Sequence, residues 1–93
     1  MIMGLKMNKF YDPFLSILPE IDIHGLNRDM VKSVLNDFIK DNIKLDNKKI
    51  IVIHGKGKGI LFNEVHSLLK KDTRVKGFYL DGCNTGCTII ELK

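Results

Sequence analysis

Residues 50 to 61 read Ile-Ile-Val-Ile-His-Gly-Lys-Gly-Lys-Gly-Ile-Leu. The first four are apolar and β-branched, which predicts a strand that is central in a sheet and covered on both faces. The alternating glycines and lysines predict a flexible cationic loop. A helical pattern begins near Gly59 or Ile60, with an inward stripe made of Leu61, Val65, Leu68 and Leu69.

An earlier part of the chain repeats the end of this strand. Residues 21–25 are Ile-Asp-Ile-His-Gly and residues 51–55 are Ile-Val-Ile-His-Gly. Between the copies, Asn27 is a reasonable N-cap for a helix. The apolar stripe of that helix consists of Val31, Val34, Leu35, Phe38 and Ile39.

This order predicts a right-handed β-α-β unit with parallel strands, so both His-Gly pairs lie at the edge where open α/β sheets bind ligands. We expect the two histidines to occupy comparable places. Their strands would lie about 5 Å apart as neighbours, or about 10 Å apart with one strand between them. Either spacing would let one phosphodiester touch both imidazoles.

The rest of the chain completes one small domain. Residues 75–80 and 87–92 read as strands joined by a turn-rich segment, which gives the order β-α-β-α-β-β and a closing hairpin. Residues 1–18 carry aromatic and apolar side chains between polar breaks. We expect them to form an N-terminal extension that packs on a domain spanning 19–93.

Composition narrows the class of protein. An apolar content of 44% with 28% charged residues fits an ordinary globular domain, and a net charge of +4 mildly favours a polyanionic partner. No apolar run is long enough to cross a bilayer, so no membrane association is expected. Two cysteines are too few for a disulfide scaffold, which predicts a cytoplasmic protein. A monomer or weak oligomer is expected.

Asp22 and His24 are the first candidate chemical groups. Side chains alternate across a strand, so these two share one face. A carboxylate beside a histidine can orient the ring, or can itself accept a proton from a nucleophile. The alternative interpretation is that both are polar because they lie on an open sheet face near a turn.

His54 and the loop after it are the second candidate. A histidine directly after a buried strand is more often a structural hydrogen-bonding residue than a catalyst. The loop 55–59 is more informative, because glycine amides and a following helix N-terminus suit an anion. It lacks both the P-loop and the Rossmann spacing, so an extended phosphate backbone suits it better than a nucleotide cofactor.

Other residues are given structural interpretations. A zinc site built from Cys83, Cys87, His24 and His54 is disfavoured, since structural zinc sites show tighter cysteine spacing. Cys87 is expected to fill space, and His66 to be a partly exposed surface residue. Residues 84–86 are interpreted as a turn, although their amides could also meet a phosphate.

Three motifs resemble the small MutS-related (Smr) domain family: Ile-Asp-Ile-His-Gly-Leu at 21–26, His-Gly-Lys-Gly-x-Gly-x-Leu at 54–61 and Gly-Cys-Thr-Ile-Ile-Glu-Leu at 86–92. The resemblance covers residues 19–93. It implies an α/β (α+β) two-layer sandwich, with a four-stranded mixed sheet and two helices, similar to the C-terminal domain of a bacterial translation initiation factor. Two departures are Phe62-Asn63, where many relatives have a basic residue, and a reduced glycine motif before the last strand.

The resemblance also implies an endonuclease that cleaves branched DNA or RNA, including messenger RNA on ribosomes. Its Asp-x-His motif falls on Asp22 and His24, and its His-Gly-Lys-Gly motif on residues 54–57. Together with the loop, this makes Asp22, His24 and His54 the candidate catalytic residues, and Gly55, Lys56, Gly57, Lys58 and Gly59 the candidate nucleic-acid-binding residues. Asp22 would be general base or metal ligand, and His24 general acid or phosphate stabiliser. A divalent metal such as Mg²⁺ stays an open cofactor, because one carboxylate with histidines is a thin ligand set. The alternative function is a non-catalytic module that binds nucleic acid or the ribosome.

Overall fold

In the computed structural model, residues 18–57, 59–82 and 84–93 are described. Strand β1 (Glu20–Asp22), helix α1 (Arg28–Lys44), strand β2 (Lys49–Ile53), helix α2 (Ile60–Lys71), strand β3 (Val75–Leu80) and strand β4 (Cys87–Leu92) follow one another. This confirms the predicted order. Lys58, Cys83 and the expected packing of residues 1–17 lie outside the described residues.

The four strands form one mixed sheet in the order β1-β2-β4-β3. Strands β1 and β2 are parallel, as the crossover rule predicts, and they are direct neighbours, whereas β4 pairs antiparallel with both β2 and β3. The parallel pair places residues 23–25 and 54–57 beyond the same edge of the sheet. The shorter of the two predicted strand spacings therefore applies.

The core lies between the sheet and the two helices. Its buried members are Ile23, Val31, Leu35, Ile39, Ile50, Val52, Val65, Leu69, Ile90 and Leu92. Helix α1 begins as predicted, because the side chain of Asn27 accepts a hydrogen bond from the Met30 amide at 3.2 Å. The predicted apolar stripes of both helices face this core.

Strand β2 corrects one expectation. Ile50 and Val52 are fully buried on the side of the helices, but Ile51 and Ile53 on the opposite face are only half-buried. The prediction of a central strand is confirmed, whereas the described residues do not fully cover the second face. Within these residues both helices pack on the face of Ile50 and Val52, and no second helical layer is present.

Candidate active site

Asp22 and His24 form an exposed pair at the end of β1. The Nδ1 of His24 lies 2.5 Å from Oδ1 of Asp22, and the same oxygen accepts the His24 backbone N–H at 3.0 Å. A carboxylate accepts hydrogen bonds, so the proton of the neutral ring is on Nδ1 and Nε2 keeps its lone pair. Within the described part of the chain, Nε2 has no hydrogen-bond partner. The ring is 67% exposed, so Nε2 can reach a ligand in solution.

His54 has the opposite environment. It is 4% exposed and both of its ring nitrogens have partners inside the protein. Nδ1 donates to the carbonyl of Gly55 at 3.0 Å, so the neutral ring must accept at Nε2, where the hydroxyl of Thr88 lies 2.8 Å away. The two histidines are therefore not in comparable places, and one phosphodiester cannot be expected to reach both. Catalysis by His54 stays a prediction.

His66 completes this buried network. Its Nε2 is 2.8 Å from the same Thr88 hydroxyl, which donates to His54 and is free to accept from His66. The ring packs between Phe62, with centroids 4.1 Å apart, and Phe78, at 4.8 Å. Burial, aided by His54 and Lys70, lowers the pKa of His66 from its ordinary value. His66 is partly exposed as predicted, but it also contacts Thr88 and two phenylalanine rings rather than solvent alone.

Gly86 brings the C-terminal turn against the loop that follows β2. Its carbonyl accepts both the His54 amide at 2.9 Å and the Gly55 amide at 3.0 Å, while its own amide donates to the Asn84 side chain at 2.9 Å. A Cβ on Gly86 would lie 3.3 Å from the carbonyl carbon of Gly55. The turn interpretation of residues 84–86 is thus supported, and this turn holds the start of the loop in place.

An open pocket of about 360 Å³ lies between the two His-Gly pairs and the start of α2. Its lining includes His24, Lys56, Gly57 and Gly59. Helix α2 has Gly59 at its N-cap with φ of 86°, no side-chain cap and no acidic residue in its first turn. Its leading amides therefore lack a side-chain acceptor, which suits an anion. The predicted contact of Lys58 lies outside the described residues.

Metal ligands are sparse at this edge. Among residues 18–57, 59–82 and 84–93, no three His, Cys, Asp or Glu side chains are grouped to hold an ion. Cys87 is buried in strand β4, as expected for a space-filling residue. Asp22 does not line the pocket, but its carboxylate contacts His24, which does. Mg²⁺ often binds through one carboxylate with substrate phosphates and water, so Asp22 is the residue that would take part.

The family model described as the Smr domain matches residues 21–93. The chain belongs to the Smr domain family. It is 37% identical over 83 residues to an endonuclease MutS2 of Gemmatimonas aurantiaca, and 35% identical over 82 residues to one of Acetivibrio thermocellus. These matches cover 86% and 84% of the chain but only 10% of each relative. The Smr chain thus spans about a tenth of the length of these relatives.

Two solved structures share the fold of this Smr domain. The Smr domain of Thermus thermophilus MutS2 superposes with a TM-score of 0.80 at 24% identity, covering 82% of this chain and 99% of that one. YdaL, a stand-alone small MutS-related protein from Escherichia coli, gives 0.76 at 16% identity, covering 80% and 63%. The predicted family and the two-layer fold are confirmed.

The sequence motifs predicted that Asp22, His24 and the glycine loop lie together. They did not indicate three residues that support this site in the Smr domain: His66, Thr88 and Gly86. Thr88 carried a signal that could have been used, because it is a polar residue within the apolar run of residues 87–90. His66 and Gly86 act through contacts distant in sequence. In the described ranges, neither helix combines the length and apolar content that crossing a membrane needs.

Proposed function

We propose that this Smr domain is an endonuclease that cleaves phosphodiester bonds in RNA or in structured DNA. The observation that carries the proposal is the exposed Asp22–His24 pair beside the pocket formed by the loop after His54. Family membership and the name of the MutS2 relatives support it. The pair supplies a base, and the loop supplies amides and the cation of Lys56.

The proposed reaction starts at Nε2 of His24. This nitrogen takes the proton of the attacking hydroxyl, which is a 2′-hydroxyl in RNA or a water molecule, as a new P–O bond forms. Asp22 holds the ring by Nδ1 and stabilises the imidazolium cation that results, which makes it a positioning residue rather than the base. The bond to the leaving oxygen breaks, and that oxygen takes a proton from His24 or from solvent.

The loop has the electrostatic part in this proposal. Negative charge grows on the non-bridging phosphate oxygens as the nucleophile adds. The Lys56 ammonium group and the leading amides of α2 lie along the same pocket and would stabilise that charge. His54 donates a hydrogen bond to the Gly55 carbonyl, so we assign it the role of holding the loop in its conformation. A bound Mg²⁺ would add further charge stabilisation at Asp22.

The test is cleavage of labelled RNA, nicked duplex and branched DNA by purified protein, with and without Mg²⁺. We expect strand scission by the wild-type protein and a rate about 10²–10⁴-fold lower for His24→Ala, because a general base contributes this much. Asp22→Asn should also lose rate. Glu20→Gln is the matched control, since Glu20 is exposed on the same face of β1, and it should retain the rate. Unchanged cleavage by His24→Ala would refute the assignment.

A non-catalytic module that binds nucleic acid or the ribosome is the second candidate. The uncapped start of α2 and the glycine loop favour it, because both can bind a phosphate backbone without any reaction. It predicts salt-dependent binding, and sedimentation with ribosomes from lysate, with no strand scission under any metal condition. Scission that depends on His24 decides against it.

A further inference from the structure

The pocket beside His24 has two chemically different walls. One wall is made of the His-Gly pairs and the glycine loop, which are polar and suit an anion. The other wall is the first turn of α2, where Ile60, Leu61 and Phe62 line the pocket. Ile60 is 53% exposed there, whereas Val65 and Leu69 further along the same helix are buried in the core. A phosphate alone would make no favourable contact with these apolar side chains.

The aromatic part of the apolar wall packs against two histidine rings. Phe62 is held by the His66 ring at 4.1 Å and lies edge-on to His54 at 5.4 Å. Among the described residues the opposite rim is open, because a Cβ on Gly25 or Gly57 would meet none of their atoms within 4 Å. A flat group that enters from solvent would meet the exposed side chain of Ile60 and the ring of Phe62.

A nucleotide combines the two chemistries that the walls offer. Its phosphate is an anion, and its base is a flat group with large apolar faces joined to that phosphate through the sugar. In a duplex the base is stacked between its neighbours and cannot reach such a pocket. In a single strand, or when flipped out, it can lie on apolar or aromatic side chains.

We propose that the first turn of α2 forms a nucleobase subsite that receives an unpaired base next to the scissile phosphate. The site would then select single-stranded or flipped-out nucleotides over intact duplex. This inference rests on the proposed function, since it names the substrate class of that same site. Continuity with His24 and the loop fixes the occupant as a nucleotide of the bound strand.

The experiment compares one oligonucleotide sequence as a single strand, as a full duplex, and as single strands that each carry one abasic position. Binding is followed by fluorescence anisotropy and cleavage on gels. We expect the single strand to bind and react at least about tenfold better than duplex, since unpairing costs a few kcal/mol. One abasic position should weaken binding about fivefold, in line with the loss of a single base contact.

Ile60→Ala is the variant that tests the wall. It should weaken binding of the intact single strand about fivefold, and it should cause no further loss when the critical base is already absent. Ile43→Ala is the matched control, because Ile43 is also a helical isoleucine and is 42% exposed, but it does not line the pocket. It should bind like the wild type.

The outcomes separate the two proposals. Equal use of duplex and single strand, no sensitive abasic position, or equal effects of Ile60→Ala and Ile43→Ala would each overturn the base subsite while leaving a nuclease in place. Failure to bind or cut any of the nucleic acids would overturn both. A His24-dependent nuclease with one sensitive base would support both.

Discussion

The two His-Gly copies have almost the same sequence and lie on neighbouring parallel strands, yet their histidines have opposite surroundings. The sheet pairs Ile21 with Val52 and Asp22 with Ile53, so the copies are offset by one residue relative to their motifs. Since side chains alternate along a strand, an offset of one residue places equivalent positions on opposite faces.

The offset explains the burial pattern. Residues 22 and 24 in the first copy are exposed, as is residue 20 before it, whereas residues 52 and 54 in the second copy and residue 50 before it are buried. His24 is thereby available to a ligand, and His54 is committed to Thr88 and Gly55. A repeated motif thus supplies two different parts of one site: a reactive side chain, and a support for the loop beside it.

The largest expected effect comes from removing each histidine and measuring stability. His54→Ala should lower the free energy of unfolding by about 2–4 kcal/mol, because it opens a cavity and leaves buried partners unsatisfied. His24→Ala should change it by less than about 0.5 kcal/mol, as exposed substitutions usually do. Urea denaturation measures both.

Thr88→Val is the control for the hydrogen bonds. It keeps the volume of the side chain and removes only the hydroxyl shared by His54 and His66, so it should cost about 1–3 kcal/mol. Equal stability losses for His24→Ala and His54→Ala would contradict the division between an exposed and a supporting histidine.

The glycines of the two His-Gly copies give a second test of the comparison, with a smaller expected effect on stability. Gly25 and Gly55 have φ of 91° and 86°, where an alanine is strained by about 1–2 kcal/mol. Within the part of the chain that the structure describes, a Cβ on Gly25 would meet nothing within 4 Å, but a Cβ on Gly55 would lie 3.3 Å from the Cβ of His24. Gly55→Ala should therefore destabilise more and also displace His24.

The measurement is urea denaturation of both alanine variants alongside their cleavage rates. Gly25→Ala should show the strain alone and keep most of its activity once folded. Gly55→Ala should lose activity beyond what its stability explains. If Gly25→Ala proves the more damaging of the two, the close approach of the two copies at Gly55 has no functional weight.

The sequence predicted the features that depend on local periodicity. The bounds of β3 and β4, the Asn27 cap and the helical stripes follow from alternation, capping and 3.6-residue spacing, each of which is legible within a few residues. The family motifs then located the site edge. These features needed no knowledge of which strand neighbours which.

The offset between β1 and β2 could not be predicted in the same way. The register of two strands depends on which residues of both can be buried in the core together. The two similar motifs instead suggested that equivalent positions pair with each other. The contact of His66 with Thr88 joins residues 22 positions apart, and that of His54 with Thr88 joins residues 34 apart. Such contacts exist only after the hairpin has packed against α2.

The smallest expected effect is the pH dependence of stability that His66 contributes. Burial lowers the pKa of His66 in the folded protein below its ordinary value of 6.5. When the pH lies between the lowered pKa and 6.5, the unfolded chain therefore binds more protons than the folded one. The contribution of His66 to the free energy of unfolding is then fully present above pH 6.5, and it is lost as the pH falls toward the lowered pKa. His66→Gln keeps an amide donor for Thr88 but cannot be protonated, so it should remove this part of the dependence.

Thermal unfolding from pH 7.5 to 5.5 isolates this contribution. The other histidines are present in both proteins, so the difference reports the replacement of His66, including its electrostatic interaction with His54. Asp72, whose pKa is lowered chiefly by its hydrogen bond with Arg74, loses its contribution only as the pH falls below 3.8 and through its lowered value. The wild-type Tm should fall more than that of His66→Gln over this range. Parallel curves would contradict the lowered pKa of His66, because they would show that the folded protein binds this proton as readily as the unfolded chain does.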